Sequence, residues 1–501
     1  MSTRKLPLGE RREQARRRRR RLIHNNDGDD ISFEGSDTPE GFLSHRCQPL
    51  LGTQVDTLCY GTGVTTLFHH DSEVAETLES WGLDGSERDP YVRNQRALRE
   101  QGLDSLRLVA DFAHVHDLEV LWSHRMNDVH DSAPDHEWIL ARHKREHPEL
   151  LMGTPAARQV HQVQTPRWWW SAYDFERSEI LDHLCAIQSE VCERYEIDGV
   201  ECDYFRNPMF FRTNLDFEPA TGAQVAVMTQ FQRRLRGIHL AAGEARDRLL
   251  LTAVRVPATE ERCLYAGIDI RTWLAEGLVD LLFVSGGYLP FTEPVGGLLG
   301  LAGAFDVPAY VSFNTPLLTR DRERPLESLR GAAQNAWQAG ADGLQLFNCF
   351  DGWYDRRWVA DIGSPATLEG TDKVFGIDRR GWIKGAYRAA IVQDHGLSIE
   401  IAGGASEREI HLPVGDDLPA AAAGDASAGL ELTIGLEGGV AADGFRVALN
   451  GSALAAAATD VAAGLWRFEP EAASFVHGRN VLRLGADQAT SVTRIELHVR
   501  Y

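Results

Sequence analysis

A short apolar run near the middle of the chain carries two acidic residues at a spacing that suits acid–base chemistry. Ile197–Arg206 reads Ile-Asp-Gly-Val-Glu-Cys-Asp-Tyr-Phe-Arg and follows a helical stretch, which is typical of a buried strand. Because side chains on a strand alternate between its faces, Glu201 and Asp203 share one face, within about 7 Å of each other. Paired buried carboxylates repel, and crowding drives their pKa values apart. The spacing indicates a catalytic pair, or else a strand end whose acids pair with Arg206 and another arginine.

Strand-like apolar runs alternate with helical stretches through about the first 375 residues, which predicts an α/β domain with parallel strands. Eight units of this kind match a (β/α)₈ TIM barrel that carries insertions. An open doubly wound sheet would carry a Gly-rich phosphate turn after its first strand, and Asn25–Asp30 is not such a turn. The eight strands are expected at residues 22–26, 55–60, 119–123, 197–206, 249–255, 279–285, 308–314 and 343–349.

The pattern changes after about residue 371, where short alternating strands replace the long helical stretches. Asn450-Gly451 is a strong hairpin-turn signal, and the Ala-rich segments 419–429 and 453–464 are expected to be loops. We therefore predict a barrel over residues 21–375 and a C-terminal all-β domain, a β-sandwich, over residues 376–501. Its strands are expected at 397–401, 430–434, 445–449, 481–484 and 492–499.

Composition and charge exclude several classes of partner. The net charge of −21 argues against nucleic acid and against an acidic membrane surface, and no apolar run approaches the roughly 18 residues of a membrane helix. The basic run Arg16–Arg21 is followed only by Leu22-Ile23, too short for an export signal, so residues 1–20 are expected to form a basic disordered tail. The seven cysteines are odd in number and contain no C-x-x-C pair, which predicts a reducing, cytoplasmic setting.

The carboxyl ends of barrel strands converge on one pocket, and here those ends are rich in carboxylates, amides, arginines and aromatic residues. Such groups suit sugar hydroxyls and sugar faces, and glycoside hydrolysis needs two carboxyl groups. We predict a carbohydrate substrate, with Asp203 as the primary catalytic carboxylate and Glu201 or Asp128 as its partner. The residues expected to contact or orient the substrate are Asn26, Asp27, Tyr60, His124, Arg125, Asn127, His130, Arg206, Arg255, Asn314, Asn348, Trp169 and Trp353.

Several alternatives stay open at this point. The arginines either bind an acidic substrate or orient catalytic carboxylates, and the Trp168–Trp170 triplet is either a sugar platform or loop core. No cofactor is expected, because flavin and nicotinamide motifs and a strand-end lysine are missing. The spacing of His124, Asp128 and His130 matches no known metal-ligand pattern. A non-catalytic carbohydrate-binding barrel, a metal-dependent hydrolase or lyase and a homo-oligomer remain alternatives.

The run Asp198–Arg206 resembles the fourth-strand D-G-[IV]-x-x-D signature of barrel glycoside hydrolases of the family-10-like and α-amylase-related types. Further stretches resemble one such bacterial family of glycosidases: they are 20–30, 125–128, 255–257 and 267–269. The resemblance as a whole covers most of residues 20–375. The resemblance implies a retaining or inverting glycosidase with a C-terminal β-domain. It also implies that Asp203 is the catalytic carboxylate.

The chain departs from two related patterns. Family-18 chitinases end the D-G-x-D-x-D-x-E pattern in an acid, where this chain has Phe205. Barrels with catalytic glutamates on strands four and seven also match poorly, because strand seven ends in Ser312-Phe313-Asn314. The resemblance therefore leaves the second catalytic carboxyl unassigned.

Overall fold

The computed structural model describes residues 6–86, 88–157, 168–285, 287–319, 322–349, 356–378, 396–424, 428–437, 440–441 and 443–501. Its strands are β1 (Leu22–Asn26), β2 (Val55–Gly61), β3 (Gly63–Val64), β4 (Leu67–Phe68), β5 (Glu76–Thr77), β6 (Glu119–Arg125), β7 (Gly199–Asp203), β8 (Leu251–Val256), β9 (Leu281–Val284), β10 (Ala309–Asn314), β11 (Gly343–Phe347), β12 (Lys373–Gly376), β13 (Ile399–Ile401), β14 (Glu407–Val414), β15 (Gly429–Glu437), β16 (Phe445–Leu449), β17 (Ser452–Leu454), β18 (Ala456–Asp460), β19 (Leu465–Phe468), β20 (Gly478–Ala486) and β21 (Thr490–Arg500).

The α-helices in the same part of the chain are α1 (Leu8–Arg16), α2 (Pro39–Arg46), α3 (Asp89–Glu100), α4 (Ser105–Val115), α5 (Arg142–Glu146), α6 (Ser178–Arg194), α7 (Arg212–Leu215), α8 (Gly222–Arg246), α9 (Glu260–Tyr265), α10 (Ile270–Ala275), α11 (Gly296–Ala304), α12 (Thr315–Thr319), α13 (Pro325–Gln338), α14 (Pro365–Leu368) and α15 (Leu418–Ala423). Within the described residues, no helix combines the length and the hydropathy needed to cross a membrane.

Eight parallel strands close into a barrel in the order β1-β11-β10-β9-β8-β7-β6-β2. All eight were predicted from the sequence, and the (β/α)₈ TIM barrel is confirmed. Strand residues alternate between the barrel interior and the surrounding helices: Ile23, Cys59 and Leu121 pack inside, whereas their neighbours Leu22, Leu58 and Val120 join the core under the helices. This alternation decides which strand-end side chains can reach a pocket inside the barrel.

The N-terminal end of the barrel interior is closed by a buried ion pair. The Arg20 Nε and Nη2 atoms donate to the two carboxylate oxygens of Glu119 at 2.6 Å each, and Thr57 Oγ1 donates to the same carboxylate at 2.9 Å. Both charged side chains are almost fully buried. The pair therefore satisfies charges that would otherwise be costly at this depth.

We expect Glu119→Gln to lower the free energy of unfolding by about 3–5 kcal/mol, because the change leaves the buried Arg20 guanidinium without its counter-charge. Urea denaturation would measure the loss. Glu276→Gln removes an exposed partner of Arg233 and serves as the control, with little change expected. Equal stability of the two variants would contradict a stabilising role for the buried pair.

The N-terminal segment differs from its prediction. Within the expected disordered tail, residues 8–16 form α1, and its arginines bind acidic groups on the barrel: Arg11 contacts Asp247 and Arg12 contacts Asp280. These ion pairs fix a helix that its own composition would not stabilise, because α1 buries no side chain completely. The sequence predicts a solvated basic run because the acidic partners of these arginines lie 236 and 268 residues away along the chain.

The C-terminal region forms two antiparallel sheets around a second core, and the predicted β-sandwich is confirmed. One sheet has the order β12-β21-β15-β19-β18, with β13 beside β21, and the other has the order β14-β20-β16-β17. The five predicted strands are present. Strand β12 pairs with β21, so the sheet takes up residues from 373 onward, just before the boundary proposed at residue 376. The Ala-rich segments hold α15 and β18 where loops were expected.

Candidate active site

Three charged side chains lie in register across neighbouring strands at the carboxyl end of the barrel. Arg125 of β6 is opposite Asp203 of β7, which is opposite Arg255 of β8. The three residues share the interior face of the barrel, because they fall on the same side of the alternation as Leu121 and Leu251. The sequence prediction that Asp203 faces the inside of a closed barrel therefore agrees with its position.

The two oxygens of Asp203 have different surroundings. Oδ1 accepts hydrogen bonds from the backbone N–H groups of Phe205 (3.0 Å) and Arg206 (2.9 Å) and from Arg255 Nε (2.9 Å). Among the described residues, no hydrogen-bond donor reaches Oδ2. The side chain is thus held rigidly through one oxygen while the other stays available, an arrangement that suits a nucleophile or a general base.

Glu201 lies one layer deeper in the barrel than Asp203 and is fully buried. Its Oε1 accepts from Gln345 Nε2 at 2.6 Å, and its Oε2 accepts from Asn25 Nδ2 at 3.5 Å. Burial raises the pKa of Glu201, and the neighbouring charge of Asp203 raises it further. The two carboxyl groups of β7 therefore differ in environment, with Glu201 favoured as the one that keeps a proton.

A hydrogen-bonded chain of alternating charge borders Asp203. The Arg125 guanidinium contacts Asp27 at 2.9 Å and Asp128 at 3.1 Å, and both oxygens of Asp128 lie within 2.9 Å of His130 Nδ1. Arg206 Nη2 donates to His130 Nε2 at 2.6 Å, which leaves the ring proton on Nδ1, facing Asp128.

The charges in this hydrogen-bonded series determine the protonation states of Asp128 and His130. Burial alone would raise the pKa of Asp128, but His130, Arg125 and Arg206 hold it well below its usual value. Burial lowers the pKa of His130, so the ring is neutral at pH 7. Asp128 therefore acts as an ionised group that orients Arg125 and His130, because its oxygens are already engaged.

Several polar atoms at inward-facing positions of the barrel strands are buried without a described hydrogen-bond partner: Asn25 Oδ1, Arg255 Nη1 and Asn314 Oδ1. Burying such atoms unpaired is costly. A bound molecule with hydroxyl groups would supply both the donors and the acceptors that these atoms lack.

Backbone strain occurs at the same edge of the barrel. Ser285 after β9 and Asn348 after β11 adopt positive φ angles of 84° and 55°, which non-glycine residues rarely do. Strain of this kind is frequent at ligand sites, where the surrounding structure holds it in place.

The structure corrects the placement of three predicted substrate contacts. Asn26, Tyr60 and His124 point away from the barrel interior, towards the surrounding helices and loops. Asn26 Nδ2 donates to Asp30 at 2.8 Å, the Tyr60 hydroxyl lies 3.5 Å from the same carboxylate, and His124 stacks on Trp122. Each is one residue away from a side chain that does face inward, because neighbouring residues of a strand alternate.

Loop residues also differ from their predicted roles. Asn127 bonds the backbone of Tyr173 and Met209, so it joins two loops instead of facing a pocket. Trp169 is 5% exposed and packs with Trp168, Phe205 and Leu289 in a small apolar cluster, which favours loop core over a sugar platform. Asn348 is partly exposed after β11, Asn314 faces the interior, and Trp353 lies outside the described residues.

Sequence reasoning missed several interior residues. Gln345, Ser312 and Phe347 are on the inward faces of β10 and β11, where Ser312 donates to Gln345 and the Phe347 ring lies 4.5 Å from the Arg255 guanidinium. Their positions follow from the strand register that places Ser312 opposite Gln345. No sequence motif marks these three residues. They could have been predicted only by assuming that Asp203 faces inward and following the strand register from there around the barrel.

Glu293, in the loop after β9, is a further, partly buried acid that the sequence did not indicate. It accepts a hydrogen bond from Ser285 Oγ, and its Oε1 is buried without a described partner. Burial raises the pKa of Glu293 to about 8, and the charge of Asp378 adds to the shift. The group is therefore mostly protonated at neutral pH.

We expect Glu293→Gln to remove one component of the pH dependence of stability. Between pH 4.5 and 8 the folded state keeps a proton that the unfolded state releases, so stability falls as pH rises. Relative to the wild type, the free energy of unfolding of the variant should rise by up to about 1.4 kcal/mol for each pH unit across this window. Urea denaturation at several pH values would measure it, with exposed Glu100→Gln as control; parallel curves for all three proteins would contradict the assignment.

Within the described part of the chain, no group of three or more His, Cys, Asp or Glu residues is arranged to hold a metal ion. The interior of the barrel carries two carboxyl groups, one with an oxygen that no described donor reaches and one with a raised pKa, surrounded by arginines and amides.

No protein-family model matches the chain, and no curated protein matches it in sequence. Similar solved structures include a cycloisomaltooligosaccharide glucanotransferase from Paenibacillus sp. (8% identity, TM-score 0.35, 96% of this chain and 57% of that chain). Two others are the alpha-L-fucosidase isoenzyme 2 from Paenibacillus thiaminolyticus (16%, 0.39, 69% and 48%) and endo-glycoceramidase II from Rhodococcus sp. (13%, 0.36, 93% and 97%). The chain spans about half the length of the first two. All three TM-scores lie below 0.5, so no activity is transferred from them.

Proposed function

We propose that this chain is a glycoside hydrolase that cleaves a glycosidic bond in an oligosaccharide, polysaccharide or glycoside. Asp203 is its catalytic carboxyl group, acting through Oδ2 as nucleophile or base. Glu201 carries the proton of the pair, Arg255 donates to Asp203 on one side, and Arg125 occupies the neighbouring position on the other side. The reaction is hydrolysis: water adds across the C–O bond, and a carboxyl group supplies the proton to the leaving oxygen.

The observation that carries this proposal is the pairing of two unlike carboxyl groups on the interior face of β7. Asp203 is anchored by three donors on one oxygen, whereas Glu201, two residues away, has a raised pKa. Folding alone does not require such a pair, and glycoside hydrolysis uses one. The buried unpartnered atoms of Asn25, Arg255 and Asn314 match the hydroxyl groups of a sugar.

A glycoside panel tests the proposal. The purified chain would be incubated with aryl glycosides and oligosaccharides, with product release followed by reducing-end assay and sugar binding followed by calorimetry. Release of product supports hydrolysis. Binding without turnover would instead support a carbohydrate-binding barrel. Two observations favour this second candidate function: Glu201 is completely buried, and the carboxylate oxygens of Asp128 already accept hydrogen bonds. Turnover that is lost on chelation and restored by metal would overturn the carboxylate mechanism.

We also propose that the protein works in a reducing compartment such as the cytoplasm. All seven cysteines are free and buried. Buried thiols without disulfide partners are usual where glutathione keeps cysteines reduced.

A further inference from the structure

A cavity lies at the opposite end of the barrel from Asp203. It has a volume of 280 Å³ and lies between α1, α8 and the residues that lead into β9. Three arginines line it, Arg12 and Arg16 from α1 and Arg236 from α8. Its remaining charged lining residues are Glu13 and Asp280, and its apolar wall contains Leu274, Val279, Phe305 and Val307.

Asp280 is already saturated with donors. Its carboxylate accepts from Arg12 Nη1 (2.7 Å), from both terminal nitrogens of Arg236 and from the backbone N–H of Thr252 (2.9 Å). Glu13 is also shared, because it accepts from Arg16 and from Arg17. The two acids therefore cannot fully neutralise the arginines around the cavity.

The surplus of positive charge appears at specific atoms. Arg16 Nε is buried, has no hydrogen-bond acceptor among the described residues and stays 4.0 Å from Asp280 Oδ1. Burial lowers the pKa of Arg12, Asp280 raises it, and the charges of Arg236 and Arg16 lower it further. Crowded guanidinium groups with an unsatisfied donor are a binding environment for an anion.

We propose that this cavity binds a tetrahedral oxyanion, either inorganic phosphate or the phosphate group of a small phosphomonoester, between Arg12, Arg16 and Arg236. Phosphate matches the forked donors of arginine, and the cavity is larger than one such ion needs. The apolar wall gives room for the organic part of an ester. Because the arginines come from two helices, the anion would join α1 to α8 and stabilise the folded state.

The test uses the full chain and measures binding by calorimetry and thermal unfolding. Inorganic phosphate and glycerol 3-phosphate are compared with chloride at equal ionic strength, which separates specific binding from salt screening. Both phosphates are expected to bind and to raise Tm, and tighter binding of the ester would identify the esterified form as the preferred ligand. Arg16→Gln is expected to weaken the affinity by roughly tenfold to a hundredfold, through loss of charge-assisted hydrogen bonds.

The matched control is Arg233→Gln, on the same helix as Arg236 but outside the cavity, where Arg233 pairs with Glu276. It should keep the wild-type affinity. If Arg16→Gln fails to fold, Arg16→Lys keeps the charge but removes the Nε donor and should also bind more weakly. The proposal is overturned if neither phosphate binds the wild type beyond the chloride effect, or if the cavity and control variants bind equally well. The glycoside panel is independent of this result.

Discussion

Replacing Asp203 by asparagine is expected to lower the turnover of a confirmed glycoside substrate by roughly 10²–10⁴-fold or more. The amide can still accept hydrogen bonds from the backbone of residues 205 and 206 and from Arg255, so the local geometry has reason to persist. What the change removes is the negative charge and the nucleophilic Oδ2. Rates on a confirmed substrate, with substrate affinity measured separately, would show whether the loss falls on turnover.

Asp198→Asn is the matched control for this change. Asp198 precedes the same strand at its other end, where it accepts from the backbone N–H of Val120, far from the interior pair. It should keep wild-type turnover. Because Asp203→Asn also leaves Arg255 without a counter-charge, Asp203→Glu provides a second variant that keeps the charge but displaces the reacting oxygen. Wild-type turnover in both Asp203 variants would refute the assigned role.

The barrel could be predicted from the sequence because its strands are buried on both faces. Such strands are nearly continuous apolar runs, and Leu251–Val256 and Ala309–Asn314 stand out against the helical stretches around them. The strands of the β-sandwich were harder to predict from the sequence. Strand β14 begins with Glu407, Arg408 and Glu409 and contains a proline, and β18 is a run of exposed alanines, so neither has the composition of a strand.

The site was predicted only in part, for a different physical reason. Sequence placed the correct strand ends together, but it could not say which residue of each end faces inward. That choice depends on the stagger between neighbouring strands, which closure of the barrel determines. The sequence therefore predicts a substrate contact at Asn26, although the neighbouring Asn25 is the residue that contacts Glu201. It likewise predicts a contact at Tyr60, although the neighbouring Cys59 faces the interior. On β7 and β8 the predicted residues Asp203 and Arg255 face inward, whereas on β6 Arg125 faces inward and His124 does not.

The second large effect concerns stability in acid. Among the residues that the structure describes, five histidines are fully buried, with burial as the main cause of their lowered pKa values. The pKa is about 4 for His24 and His124 and about 3 for His69 and His239, against 6.5 for an ordinary histidine. The fifth, His70, donates to or accepts from Thr62 at 2.7 Å.

The sign of the effect follows from proton binding. Between pH 6.5 and 4 the unfolded state protonates these rings while the folded state keeps them neutral, so stability falls as pH falls. Each of the four rings with a pKa of about 3 or 4 contributes about 3 kcal/mol by pH 4, and the four together are comparable with the 5–15 kcal/mol of a typical domain. Carboxyl groups with raised pKa values, such as Glu293 and Asp378, oppose the change. Four further histidines with lowered pKa values add to it: His130, His143, His183 and His498. As the pH is lowered, we expect the protein to unfold cooperatively before pH 4. Circular dichroism and tryptophan fluorescence would monitor this transition.

His239→Gln isolates one of these rings. His239 lies between Thr252 Oγ1 (2.8 Å) and Gln188 Oε1 (2.9 Å), and glutamine offers both hydrogen-bonding roles without a titrating group. The slope of unfolding free energy against pH should fall by about 1.4 kcal/mol per pH unit between pH 6.5 and 4, the value for one proton. The exposed ring of His116, at the end of α4, provides His116→Gln as control, with its slope unchanged. An unaltered slope in His239→Gln would mean that this ring is already protonated in the folded protein, and that the acid sensitivity arises elsewhere.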